Sequence, residues 1–177
     1  MRLATMLVAG LLLQPGTVTT PAPVRLPDEC PRLLLTWHPG MPLPTTPPAE
    51  IGPSVVAAMW DSGIVLRAES IGRPHGPHVI GNLPATERVE LLQSVSASAV
   101  WSQPSILVPD APSLALAWNR GSDVLRHARS PDGAAKPTEL EMLRARLFGL
   151  QLLRVQKLEV PIAVNRWRCP PEFPGRR

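Results

Sequence analysis

Residues 55 to 70 read Val-Val-Ala-Ala-Met-Trp-Asp-Ser-Gly-Ile-Val-Leu-Arg-Ala-Glu-Ser. An apolar run meets Asp61-Ser62-Gly63, and beyond it Ile64, Leu66 and Ala68 alternate with Val65, Arg67 and Glu69. A period of two is the pattern of a half-buried strand, so the stretch predicts a β-hairpin. Gly63 can take a positive φ at no steric cost, and the Asp61 carboxylate can cap the turn. The hairpin is scaffold and carries no chemistry.

Upstream, Leu33 to Trp37 is an apolar strand candidate directly behind Cys30. Residues 39 to 53 then hold six prolines, which can neither donate to a ladder nor continue a helix. That stretch reads as an extended surface loop. Downstream, a turn-rich link through Arg73-Pro74-His75-Gly76-Pro77 leads to a third strand at His78 to Gly81. Pro84 then marks a helix start, with Glu87 favourable near its N-terminus. Val89, Leu92, Val95 and Ala99, with Leu91 beside them, place an apolar face on that helix up to Trp101.

The second half resembles the first. Leu114 to Gly121 runs into Val124-Leu125-Arg126, matching Trp60-Asp61-Ser62-Gly63 into Val65-Leu66-Arg67 with one residue inserted. Thr138 and Glu141 form a capping-box signature after Pro137, and Leu140, Leu143, Leu147 and Leu150 follow in register. A last strand is expected from Val160 to Trp167, bringing Cys169 to the sheet edge. The fold class is therefore α+β: an antiparallel sheet of about five to seven strands with two helices on one face, built from hairpin–helix units at 54–101 and 113–157.

The chain has 177 residues, 44% of them apolar, enough for one domain with a sizeable core. It has 23 prolines, five tryptophans, two phenylalanines and no tyrosine, and its net charge is +4. The charge is dispersed, with no aromatic residues interleaved among basic clusters, so nucleic-acid binding is not expected. Arg2, an apolar run from Leu3 to Leu13, and the Gln14-Pro15-Gly16 break read as a signal peptide over residues 1–22. The run is too short for a stable membrane span. The expected organisation is then an N-terminal strand and Pro-rich loop over 23–53, an α+β domain over 54–169, and a tail over 170–177. The protein is placed in a secreted or periplasmic setting.

Two cysteines, Cys30 and Cys169, lie near the ends of the exported chain, and an even count there predicts a disulfide. Closing a loop of about 140 residues would stabilise the fold by about 5 kcal/mol.

The order of apolar strand, Trp-Asp-x-Gly tip, strand, Gly-x-Leu-Pro and Glu-rich helix over residues 55–99 resembles small exported bacterial α+β domains of unknown function. What that resemblance implies is a secreted module with no family active site to carry over. The tip here is Asp-Ser-Gly where Asp-Gly is commoner.

Candidate chemistry is sparse. His75 and His78 form a His-x-x-His that His127 could join as metal ligands if the hairpins lie side by side. Asp61 and Asp123 sit at hairpin tips, where turn capping accounts for them. There is no Gly-x-Ser-x-Gly elbow, His-Glu-x-x-His, Cys-x-x-Cys or phosphate loop, and nothing argues for an enzyme or a cofactor. Trp60 and Trp118, at strand ends, are candidate contact residues. The leading expectation is an exported, non-enzymatic binding or structural module acting on a protein or envelope component. The alternative is a metal-binding or metal-dependent hydrolytic protein using the three histidines.

Overall fold

The structure, a computed structural model, describes residues 23–40, 53–102, 110–120, 123–132, 138–159, 162, 166, 167 and 169, with no side chains at 120 and 123–127. The expected signal segment and the tail lie outside the described residues, as do residues 41–52 of the Pro-rich loop.

Seven antiparallel strands form one sheet: β1 (Leu33–His38), β2 (Ser54–Met59), β3 (Ile64–Ala68), β4 (His78–Asn82), β5 (Ser113–Arg120), β6 (Asp123–Pro131) and β7 (Leu153–Leu158). Their order is β6-β5-β1-β2-β3-β4-β7. Two helices, α1 (Ala85–Ser96) and α2 (Glu139–Gly149), complete the α+β fold. β1 is thus an interior strand, with Leu33 opposite Met59 on one side and Trp118 on the other.

The hairpin at residues 55–70 closes as its composition demands. Gly63 sits at φ +87° and its N–H donates to the Trp60 carbonyl at 2.9 Å. Asp61 does not cap the turn through its side chain. Its carboxylate lies 3.9 Å from the Arg32 guanidinium, and its carbonyl accepts from Arg88 on α1.

Both faces of the central strands are apolar. Leu33, Leu35, Met59, Val65, Leu114, Leu116 and Trp118 belong to one buried cluster, which also holds Leu91 and Val95 of α1 and Leu140 and Leu147 of α2. Leu34, Val55, Ala58, Trp60, Leu66, Ile80 and Ala117 form a second cluster, by the alternation of a pleated strand on the opposite face. That face is covered by Val24, Leu26 and Cys30 from before β1, and by Ile162, Trp167 and Cys169 from after β7. The Trp60 and Trp167 rings meet edge to face at 5.4 Å. Their indole N–H groups donate to Glu29 O and Pro27 O at 2.9 and 3.0 Å. Cys30 and Cys169 are joined as predicted, with Cα atoms 5.0 Å apart.

Three expectations change. Cys169 lies on the second face rather than at a sheet edge, because Leu34 and Ala117 beneath it need a cover. The strand after α2 is Leu153–Leu158, whereas the run from Val160 to Trp167 is described only at Ile162, Arg166 and Trp167. Val89 is 46% exposed: two residues, about 200°, separate it from Leu91, on which the buried face of α1 is centred. The helix also stops at Ser96 and restarts as a 3-10 turn over Ala99–Ser102, where the Ser98 hydroxyl accepts from Val100 N–H.

The capping box on α2 is complete: Thr138 Oγ1 accepts from Glu141 N–H, and Glu141 Oε2 accepts from Thr138 N–H at 2.7 Å. Replacing Thr138 by Ala should lower unfolding stability by about 1 kcal/mol, read as a lower midpoint in urea. An unchanged midpoint would show that the cap contributes nothing to the folded state.

Candidate functional site

Two of the three candidate histidines, His75 and His78, bond to different residues of β2. His75, in the β3–β4 loop, turns its Nδ1 to Ser54 Oγ at 2.5 Å and sets its ring edge to face against Trp37 at 5.0 Å. His78, on β4, lies 1% exposed on the opposite face, two residues from Ile80 of the second cluster. Its Nε2 donates to Val55 O at 2.9 Å. Gly76-Pro77 therefore lets the two rings clamp consecutive residues at the start of β2, one on each face. His127 pairs with Ala117 through β6, and its side chain is outside the described residues. Among the described residues no group of three or more His, Cys, Asp or Glu could hold a metal ion.

The His78 tautomer follows from its partner. A carbonyl can only accept, so Nε2 carries the proton and Nδ1 is a lone-pair nitrogen, buried and unbonded. Burial pushes the His78 pKa below its ordinary value, and the Val55 hydrogen bond opposes this in part.

The fourth histidine, His38, ends β1. Thr36 Oγ1 donates to Ala115 O, so it must accept from His38 Nε2–H at 3.0 Å; His38 Nδ1 then accepts from Arg129 at 3.1 Å. On the other face Trp37 Nε1 donates to Asp132, which pairs with Arg144 of α2 at 3.1 Å. Arg129 and Asp132 are 91 and 95 residues from their β1 partners, and no local spacing announces such pairs. These bonds tie β1 to β5, β6 and α2.

Trp60 and Trp118 are buried at 1% and 6% exposure, so neither offers a contact surface. Trp118 is stacked by Arg32 at 5.0 Å and met by the Trp101 ring at 6.5 Å. Arg67 stacks on Phe148 of α2 at 5.5 Å, and burial holds its pKa below the usual arginine value.

The surface with binding character is the outer edge. Among the described residues β7 pairs with β4 on one side only. Leu153 and Val155 are 56% and 57% exposed, the most exposed large apolar side chains among the described residues. Arg154 between them sits at φ +52°, where the β4–β7 register shifts. Gly81 permits the close approach of the strands there: a Cβ on it would fall 2.9 Å from Leu153 O and Leu152 Cβ. Beyond Val155, Lys157 bonds Glu69 at 3.2 Å and Glu159 at 3.7 Å, and the Glu69 hydrogen bond foremost raises its pKa. The sequence signal for β7 is short: Leu153 and Val155 alternate with Arg154 and Gln156, and Lys157-Leu158 reverses the pattern.

Comparison with known proteins returns no matching family model, no matching curated protein and no matching solved structure.

His78 makes a pH prediction. The unfolded imidazole takes a proton near pH 6.5 while the folded one resists it. Stability therefore falls as pH drops below about 6.5, by up to about 1.4 kcal/mol per pH unit, until the folded pKa is reached. Urea midpoints at pH 7 and pH 5 should differ less in His78→Gln, which keeps a donor for Val55 O. Equal pH dependence in the two proteins would rule His78 out as the cause.

Proposed function

We propose that this chain is an exported, non-enzymatic binding module that takes a protein partner along the outer edge of β7. The observation that carries the reading is the pair Leu153 and Val155, half exposed on a strand whose second edge has no neighbour in the sheet among the described residues. Unpaired strand edges are templates for an added strand: backbone hydrogen bonds supply affinity and alternate side chains supply specificity. A secreted or periplasmic setting is supported by the Cys30–Cys169 bridge, which persists in oxidising compartments. No helix among the described residues is long and apolar enough to cross a membrane. The same reading keeps residues 1–22 as an export signal, and the likeness of 55–99 to small exported bacterial domains.

Two architectural points belong to this reading. The helices lie on one face, supported by Leu91, Val95, Leu140 and Leu147 sharing one cluster. The chain is two hairpin–helix units, supported by β2–β3 leading through β4 to α1 and β5–β6 leading to α2. That correspondence is one of elements rather than residues, because Trp60 and Trp118 belong to opposite clusters.

A photoreactive residue at position 155, introduced in the producing cell, tests the proposal against the same residue at exposed Glu90 on α1. We expect one heterologous protein adduct at 155, reduced more than tenfold when Leu153 is changed to Lys. Adducts no more abundant at 155 than at 90 would contradict it.

A further inference from the structure

On the reading of β7 as the docking edge, we infer that the partner lays an extended strand antiparallel to Val155–Lys157, carrying in order a basic residue facing Glu159, an apolar residue facing Val155 and an acidic residue facing Arg154. The phase of the backbone hydrogen bonds places the contact. Glu69 N–H donates to Pro77 O at 2.8 Å and Leu83 N–H to Gly63 O at 2.8 Å, and both pairs continue the β3–β4 register. In an antiparallel ladder, directly opposed residues exchange hydrogen bonds only at every second pair. Val79 and Gly81 therefore turn their backbone groups to β3, and His78 and Ile80 turn theirs to β7. His78 is opposite Leu158 and Ile80 opposite Gln156. Leu158 and Gln156 thus face inward, and the N–H and C=O groups of Val155 and Lys157 face outward. The register shift beyond Ile80, with Arg154 at φ +52°, ends this regular stretch. Val155 combines outward backbone groups with a side chain that is 57% exposed.

Charge gives the added strand its direction. Leu153 through Lys157 are all exposed, so their side chains are open to an added neighbour. Lys157 is met by two carboxylates, Glu69 and Glu159, which leaves that end of the edge one negative charge in excess, and the Glu159 side chain is 74% exposed. Arg154, at the other end, is exposed and has no carboxylate at ion-pair distance among the described residues. The edge is therefore positive at Arg154 and negative at Glu159, about 15 Å along the strand. A strand of complementary polarity gains at both ends, and one of reversed polarity is repelled at both. Every pairing in the sheet is antiparallel, the slightly more stable arrangement, so the added strand runs from the Glu159 end to the Arg154 end.

The test follows the backbone amides of the isotope-labelled full chain by nuclear magnetic resonance, first in hydrogen exchange and then in titration with two synthetic peptides. One is acetyl-Thr-Lys-Thr-Thr-Thr-Val-Asp-Thr-amide, and the other has its Lys and Asp exchanged. In the free protein the Val155 and Lys157 amides should exchange about tenfold faster than those of Gln156 and Leu158. The first peptide should shift and protect the two outward amides and bind about fivefold more tightly than the second. Arg154→Asp, a residue that tolerates a positive φ, should erase that preference. Equal binding of both peptides at the outward amides would overturn the charge order while leaving β7 as the docking edge. Binding of neither at those amides would remove the docking edge itself. Slow exchange of Val155 and Lys157 in the free chain would also overturn the inference, and its dependence on concentration would tell a second copy of the chain from a segment of this one as the occupant.

Discussion

Leu33, Leu34 and Leu35 are consecutive, and none has any solvent exposure. In a strand, neighbouring side chains point to opposite faces, so three buried leucines in a row mean that both faces of β1 are sealed. Fully burying one such side chain is worth about 2 kcal/mol, and a face left open would forfeit that several times over. One seal is the cluster that includes the helices. The other is assembled, among the described residues, from pieces on either side of the sheet in sequence: Val24, Leu26 and Cys30 before β1, and Ile162, Trp167 and Cys169 after β7. Segments this short bury too little to order themselves, which is why the cover carries a covalent bond, a tryptophan pair and indole hydrogen bonds to its own backbone.

The same constraint explains where the polar residues went. At the His38 end of β1, Thr36, His38 and Arg129 form a hydrogen-bonded chain, and Trp37 hands its N–H to Asp132. A buried hydroxyl or ring nitrogen without a partner costs about 1–3 kcal/mol, so such groups are recruited to bond one strand to the next. Histidines that looked like ligands in the sequence thereby become fasteners. His75 and His78 hold the start of β2 from opposite faces, and His78 accepts one unbonded nitrogen for doing so.

Much of the fold was legible. The 55–70 hairpin, the capping box at Thr138 and the Cys30–Cys169 pairing are local or pairwise signals, and each is present. What escaped was global. The continuous apolar run at β1 does not say which strands flank it, because that depends on β2 and β5 choosing its two edges. β7 is hard to read locally, since its alternation reverses at Lys157-Leu158, it follows α2 after only three residues, and Leu150 and Leu152 blur the boundary. The site was legible in reverse. Tryptophans and histidines, the residue types that attract functional readings, are here mostly interior, while the exposed apolar pair lies on a strand composed of ordinary residues.

The cover over the second face is the feature on which the architecture turns, and its signature is two indole protons. In the oxidised protein Trp60 Nε1–H is bonded to Glu29 O and Trp167 Nε1–H to Pro27 O, and both side chains are 1–2% exposed. Hydrogen exchange of the indole protons, followed by nuclear magnetic resonance at neutral pH, reads this state directly. The account predicts that these two exchange far more slowly than free indole. Rapid exchange at both, in a chain whose β1 amides remain protected, would mean that the second face is not covered by the joined terminal segments.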